Sequence, residues 1–182
     1  MARVPDMTAD RLKDADRDLL GRDIALHRAL ANSPNAARAF SGLGQFIRHK
    51  SVLDPRLREL AILQVGWLAR SPYEWSHHVK IGMEFGVSEA DIRALIAESE
   101  GRANGLEPLA KLVLRAAREC HDGPGVSEAT FEALRAHLDE ERLVDLVLTI
   151  AFYCAVVRVL ASLDIRVEPE YQPYLDRFPL PA

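Results

Sequence analysis

The sequence predicts an all-α fold, a single-domain helical bundle, and three observations carry that expectation. No stretch shows sustained two-residue alternation, and no Asn-Gly or Asp-Gly hairpin lies between apolar runs. A short polar residue followed by proline recurs where helices begin, at Ser33-Pro34, Asp54-Pro55 and Ser71-Pro72. Two segments, Leu60 to Leu68 and Leu143 to Val157, are apolar on nearly every side, as a helix in the middle of a bundle or at a subunit contact must be.

The elements follow in order from these signals. Thr8 caps a first helix that runs to about Ala31, and Ser33-Pro34 opens a second. Within that second helix Gly42-Leu-Gly44 reads as a close helix contact. Asp54-Pro55 opens a helix to about Ala69, and Ser71-Pro72 opens another to about Phe85, with Gly86 placed for a left-handed turn just past its end. Ser88 starts a fifth helix. After a loop at Gly101 to Gly105, a helix covers about Pro108 to Cys120, and His121-Asp-Gly-Pro-Gly125 breaks the chain. Ser127 caps a short helix, and Asp139 or Glu140 begins the long apolar one through about Leu160. The tail beyond Glu168 carries Pro169, Pro173, Pro179 and Pro181, and is expected to run along the surface or a neighbouring subunit rather than continue a helix.

Composition narrows the function. The 182 residues are 48% apolar and 27% charged, which suits one globular domain of ordinary size. With 23 basic against 27 acidic residues, the net charge of −4 argues against nucleic acid as a partner. The run Leu146 to Val157 is taken as too short to cross a bilayer, and the first residues lack an apolar signal core, so the expectation is a cytoplasmic protein without a membrane partner. The two cysteines, Cys120 and Cys154, form no CxxC, which leaves no thiolate zinc site and no disulfide scaffold.

The chemistry concentrates in two neighbouring helices. Glu59 shares a helical face with Ile62, Leu63 and Gly66, an unusual place for a carboxylate. It is either a candidate acid or base, or a partner of Arg56 or Arg58. Glu74 and His78 are four residues apart and therefore neighbours on one face, so Glu74 can orient the imidazole for proton transfer. The competing reading makes Ser71-x-x-Glu74 a capping box and His78 a core or interface histidine. His77 points roughly 100° away from His78, so the pair is not expected to face one site. The spacing is not that of a two-histidine metal motif, and no metal is expected. His27, His49, His121 and His137 are expected in solvent. Ser71 has no Gly-x-Ser-x-Gly context, and no glycine-rich phosphate loop is present.

At these residues the sequence resembles the carboxymuconolactone decarboxylase family, which includes the AhpD-like proteins. The peroxidase branch of that family carries a Glu, a CxxC about a dozen residues later, and a His four beyond the second Cys. Arg58-Glu-Leu-Ala-Ile-Leu63 matches the Glu-bearing helix, with Glu59 in place. Ser71 and Glu74 stand where the two cysteines would be, and His78 stands at the His, with Tyr73-Glu74-Trp75 looking like the form found in members without the CxxC. The resemblance is strongest over residues 35–100 and extends to about residue 165. It implies an AhpD-like bundle at 35–165, with a helical arm at 1–34 before it and a Pro-rich tail at 166–182 after it.

The resemblance also implies a function. Glu59, His78 and Glu74 become the catalytic residues, and Ser71, Tyr73, Trp75 and His77 the substrate pocket. Peroxide reduction, and the peroxiredoxin label that goes with it, needs a thiolate and a resolving thiol that Ser71 and Glu74 do not supply. Decarboxylation of an unsaturated lactone acid, or related lyase or isomerase chemistry, needs neither thiols nor a cofactor. It asks the protein to stabilise a dienolate and protonate carbon. The implied partners are a small-molecule substrate and further copies of the chain, in a trimer-based or hexameric homo-oligomer. A catalytically silent oligomeric binding protein is the third reading, favoured if His78 faces solvent.

Overall fold

The computed structural model describes residues 2–181. Among these residues there is no strand, and nine α-helices follow one another: α1 Ala25–Leu30, α2 Pro34–His49, α3 Pro55–Leu68, α4 Pro72–Glu84, α5 Glu89–Ser99, α6 Pro108–Asp122, α7 Glu128–Arg135, α8 Glu140–Leu163 and α9 Gln172–Arg177. α3 is the hub. Every residue from Leu57 to Trp67 is buried, and the helix packs against α4, α6 and α8. A helix with one apolar stripe could not be enclosed in this way, so the all-round apolarity of Leu60 to Leu68 is what admits it to the centre.

α8 is the second central element. Leu143, Leu146, Ile150, Tyr153, Val157 and Leu160 join the core, while Val144 remains 64% exposed. The helix is longer than its apolar run suggested. At 24 residues, with a mean hydropathy of 2.2 over its most apolar stretch, it could cross a membrane by length and composition alone. Packing against α3 and α6 accounts for the part of that apolar surface that faces inward.

Most helix starts form as their sequence signals require. The Asp54 carboxylate accepts from the Leu57 amide at 2.9 Å, Ser88 and Asp91 make a reciprocal capping box, and Ser127 and Asp139 cap α7 and α8. Gly86 adopts φ +97° beyond α4, a conformation that glycine reaches without strain. At Ser33 the proline alone marks the start, since the serine side chain makes no capping bond.

Three expectations are corrected. Thr8 caps nothing, and the chain from Ala9 to Leu20 forms short 3-10 turns instead of a helix. Asp14 to Leu20 buries no residue, so no apolar face offsets the entropy of ordering a longer helix. The tail lies along the surface as expected, but it is not without helix. Pro169 and Pro173 each sit in the first turn of a short helix, where a missing N–H is harmless. The tail then docks on its own chain, with Phe178 only 1% exposed and its carbonyl accepting from Trp75 Nε1 at 2.6 Å. The close helix contact lies at Gly66 and not at Gly42. A Cβ on Gly42 would meet nothing within 4 Å and one on Gly44 would only reach the Phe152 ring at 4.0 Å, whereas one on Gly66 would sit 3.3 Å from the Trp75 backbone nitrogen.

These two glycines should respond oppositely to substitution. Gly66→Val drives α3 into the α4 backbone and is expected to destabilise the fold by about 1–3 kcal/mol. Gly42→Ala fills open space on an exposed helical surface and is expected to stabilise it by about 0.5–1 kcal/mol. Urea unfolding of the two variants beside the parent measures both signs.

Candidate active site

The site is built on the crossing of α3 and α4. Gly66 brings the first turn of α4 onto α3, and Gly82 does the same one face further along, where a Cβ would lie 3.6 Å from the Glu59 Cβ. Ser71 starts α4 by accepting from the Glu74 amide at 3.4 Å. This places His78, one turn beyond Glu74, opposite Glu59.

The resulting chain of polar groups is continuous. Arg58 Nε donates to Glu59 Oε1 at 3.1 Å, Glu59 Oε2 lies 2.7 Å from His78 Nδ1, and His78 Nε2 lies 3.1 Å from Glu74 Oε1. Each of the four residues is at most 4% exposed. The Arg58 guanidinium also stacks over the Phe85 ring, 4.6 Å from its centroid. Glu59 therefore meets one of the two arginines considered as its partner. The other, Arg56, is bound elsewhere, to Asp91 and Glu107.

The two carboxyl groups flanking His78 are driven in opposite directions. Burial pushes Glu59 up, but the His78 ring and the Arg58 guanidinium outweigh it and hold the carboxyl below its ordinary range. Burial pushes Glu74 up too, and there the pull of His78 does not cancel it. Glu74 Oε1 is buried without a well-aligned hydrogen bond. A carboxylate on Nδ1 selects the tautomer that donates to Glu59 and turns the Nε2 lone pair toward Glu74. The trio thus holds one anion, one imidazole and one carboxyl that favours its proton. Ser71 caps α4, but the Glu74 side chain turns toward His78 instead of completing a capping box.

Glu74 and His78 border a cavity of about 80 Å³ that is also lined by Tyr73, His77, Arg22, His27, Arg48 and Tyr153. Glu59 stands behind His78 and does not reach it. Arg22 and Arg48 are the basic groups beside the cavity, and among the described residues neither has a carboxylate within 4.0 Å. Arg48 instead hydrogen-bonds Tyr153. Tyr153 also meets the edge of the His78 ring, at a centroid distance of 5.0 Å.

His77 is the surprise of the site. It borders the same cavity as His78 despite their angular separation on α4. Its ring is stacked between Tyr73, at 4.0 Å, and Tyr171, at 3.5 Å. Its Nε2 lies 2.9 Å from Glu168 Oε2. The other Glu168 oxygen accepts from the Ala25 amide at 2.7 Å and from the Tyr73 hydroxyl at 3.2 Å. Burial pushes the His77 imidazole below its ordinary value, against the opposing pull of Glu168. Burial pushes Glu168 up, but His77 and the Ala25 amide outweigh it and bring the carboxyl down to about 2.

Of the residues expected in the pocket, Glu74, His78, Tyr73 and His77 border the cavity. Ser71 and Trp75 do not. Ser71 is the helix cap, and Trp75 is fully buried against Trp67 with its N–H given to the tail. His27 is not a solvated histidine but lines the cavity. Glu168 carried no signal in the sequence, because it comes from a segment 91 positions beyond His77. Arg22 and Arg48 carried no signal either, because only the fold brings them to the cavity. Among the described residues no three His, Cys, Asp or Glu side chains are grouped as metal ligands.

With this geometry in hand, comparison with known proteins is direct. Residues 34–119 match the model of the carboxymuconolactone decarboxylase family. These residues belong to that family. The search of curated proteins found no match. Among solved structures, an uncharacterized peroxidase-related protein with an alkylhydroperoxidase AhpD core, from Ralstonia eutropha JMP134, superposes with a TM-score of 0.78 at 22% identity, over 96% of this chain and 95% of that one. A putative antioxidant defence protein AhpD from Agrobacterium tumefaciens gives a TM-score of 0.67 at 22% identity, over 76% and 96%. A cysteine-to-alanine variant of the debrominase Bmp8, in complex with 2,3,4-tribromopyrrole, gives 0.72 at 20% identity, over 97% of each chain. These likenesses establish the all-helical AhpD-like fold. The family match stops at residue 119, so Glu168, Tyr171 and Tyr153 lie beyond it.

The Glu168 contacts make a stability prediction with a definite sign. Its carboxyl is lower in the folded chain than its ordinary value of 4.5. Its contribution is therefore complete above that value and is lost as the pH falls toward about 2. Glu168→Gln is expected to cost on the order of 2–3 kcal/mol at neutral pH. The deficit should shrink as both proteins are acidified through this window, which urea unfolding at a series of pH values records.

Proposed function

We propose that the chain is an acid–base enzyme acting on a small unsaturated organic acid or lactone, by decarboxylation or a related lyase or isomerase reaction. The observation that carries this reading is the Arg58–Glu59–His78–Glu74 chain, ending on a cavity that also presents Arg22 and Arg48. Guanidinium groups without a carboxylate partner, beside a partly apolar cavity, suit a substrate carboxylate. A carboxyl that favours its proton, relayed through an imidazole, suits protonation of carbon.

On this reading the substrate carboxylate leaves as carbon dioxide, and the electron pair of the broken carbon–carbon bond passes into the conjugated carbonyl as a dienolate. The Glu74–His78 couple then delivers a proton to carbon. Glu59 holds the imidazole in one tautomer and stabilises it when it carries charge. The chemistry asks for no cofactor in principle. Burial of His78, at 4% exposure, removes the observation that would have favoured the silent binding reading, a solvated imidazole.

Thiol chemistry is the weaker alternative. Neither cysteine lines the cavity, and burial pushes the Cys154 thiol up, away from the thiolate form. The likeness to peroxidase-related structures supports the scaffold and not the residues that peroxide reduction uses.

The test is release of carbon dioxide from γ-carboxymuconolactone and a panel of unsaturated lactone acids, run beside peroxide consumption. His78→Gln is expected to lower kcat by about 100- to 10,000-fold while the melting curve stays close to the parent's. Arg48→Met is expected to raise KM by about 10- to 100-fold, the loss of one charge-assisted hydrogen bond. The Cys120→Ser, Cys154→Ser double variant should keep full turnover. Peroxide consumption that disappears in that double variant would return the thiol reading to first place.

A further inference from the structure

The acid–base reading uses one imidazole, yet two border the cavity. Neighbouring histidines on a helix ordinarily look in different directions. Here each has its own buried carboxylate, from a different part of the chain. Glu59 of α3 takes Nδ1 of His78, and Glu168, beyond the family segment, takes Nε2 of His77. A carboxylate fixed on one ring nitrogen makes that nitrogen the donor and leaves a lone pair on the other. The two rings therefore keep their lone pairs on opposite nitrogens, Nε2 of His78, which lies against Glu74, and Nδ1 of His77. Tyr73 and Tyr171 cover both faces of the His77 ring, so it is held rigidly and only its edges can react.

We propose that His77, held by Glu168 and clamped between Tyr73 and Tyr171, is a second proton-transfer residue of this cavity, taking a proton from the substrate while the Glu74–His78 couple returns one. The proposal rests on the acid–base reading above and extends its substrate class to unsaturated lactones that carry an acidic C–H in place of the departing carboxylate. In the step, the C–H bond breaks as an N–H bond forms on His77. The electron pair moves through the conjugated double bond onto the carbonyl oxygen. The Glu74–His78 couple then gives a proton to the carbon next to that carbonyl, and the enolate pair forms the new C–H bond. Nothing is oxidised or reduced. The proton on His77 passes to solvent and the couple takes one back.

The groups around His77 favour a base. Burial, the neighbouring His78 and Arg22 all lower its proton affinity, and Glu168 alone among its close contacts raises it. Tyr73 is itself pushed up by burial and by Glu168, so it remains a neutral hydroxyl and does not compete for the proton. The simpler role for His77, a tie between α4 and the tail, explains its bond to Glu168 but not its place on the cavity wall.

Two probes separate the possibilities. γ-Carboxymuconolactone requires only protonation of carbon after carbon dioxide leaves. Muconolactone, which lacks that carboxylate, requires abstraction and return of a proton, followed in D2O by proton NMR as isomerisation and deuterium incorporation. The parent protein is expected to turn over both. His77→Gln, whose amide can still donate to Glu168, is expected to lose at least 100-fold in muconolactone isomerisation, and at least tenfold more there than in carbon dioxide release. His78→Gln should lose both. In Glu168→Gln the acidic limb of the isomerisation profile should move to lower pH, because the carboxylate that raised the His77 proton affinity is gone; a purely structural tie would lower activity without moving the limb.

Carbon dioxide release by the parent without isomerisation overturns the second base and leaves the first reading standing. Equal losses in both reactions for His77→Gln, with an unmoved limb in Glu168→Gln, assign His77 to structure and overturn the proposal too. Turnover of neither probe by the parent overturns the acid–base reading itself. Thermal melts of each variant identify any loss that comes from unfolding.

Discussion

A carboxylate in the middle of the central helix is the constraint around which the site is arranged. Glu59 is 1% exposed, and a lone charge at that depth would cost several kcal/mol or would take up a proton. It stays ionised because Arg58 and His78 meet its two oxygens. That requirement fixes much else. The imidazole has to come from a helix close enough to reach, so α4 must cross α3 at the small residues Gly66 and Gly82. Once His78 is committed to Glu59 through Nδ1, its other nitrogen faces Glu74, and the carboxyl there is pushed toward its protonated form. The contrast between the two acids follows from what each one meets: Glu59 has a guanidinium and an imidazole, while Glu74 has only the far side of the same imidazole.

The bundle was legible in the sequence because its signals are local. Ser71-Pro72 and Asp54-Pro55 mark helix starts within three residues, and the all-round apolarity of α3 states its position without any partner being known. Glu59, Glu74 and His78 were legible for a related reason: helical spacing put them on faces that the fold then brought together. The N-terminal region misled because Asp14 to Leu20 has helix-compatible composition but nothing to bury. The tail misled because its prolines were read as breakers, when at the first turn of a helix they are starters. His77 was set aside on helical angle alone. That angle is real, but both rings border one cavity, and the tail supplies a carboxylate that no local pattern announces.

The parts of the chain outside the family segment turn out to complete the site. The N-terminal region gives Arg22 and His27, and α8 gives Tyr153. The tail gives Glu168, whose carboxylate joins the Ala25 amide, the Tyr73 hydroxyl and the His77 ring in one cluster. The N-terminal region thus borders the cavity directly, and the tail holds one of its lining residues, His77, from behind. Shared geometry at the α3–α4 crossing with variable closure above it is a physical route by which one helical scaffold can hold different reactions.

The replacement of a thiol position by Glu74 changes more than the nucleophile. A cysteine beside His78 would be drawn toward thiolate by the imidazole, and the pair would separate charge. A carboxyl in the same dry position does the reverse. It resists ionisation and favours keeping its proton beside the imidazole. An anionic substrate entering the cavity strengthens that tendency, since a second negative charge nearby raises the proton affinity of both groups. Arg22 and Arg48 offset the repulsion without removing the proton. On the proposed reading, binding therefore readies the Glu74–His78 couple as an acid. Delocalisation of the substrate's charge onto a carbonyl oxygen after carbon dioxide departs then relaxes the field that held the proton in place. On that reading the carboxyl that stands in the thiol's place supplies the proton that carbon requires.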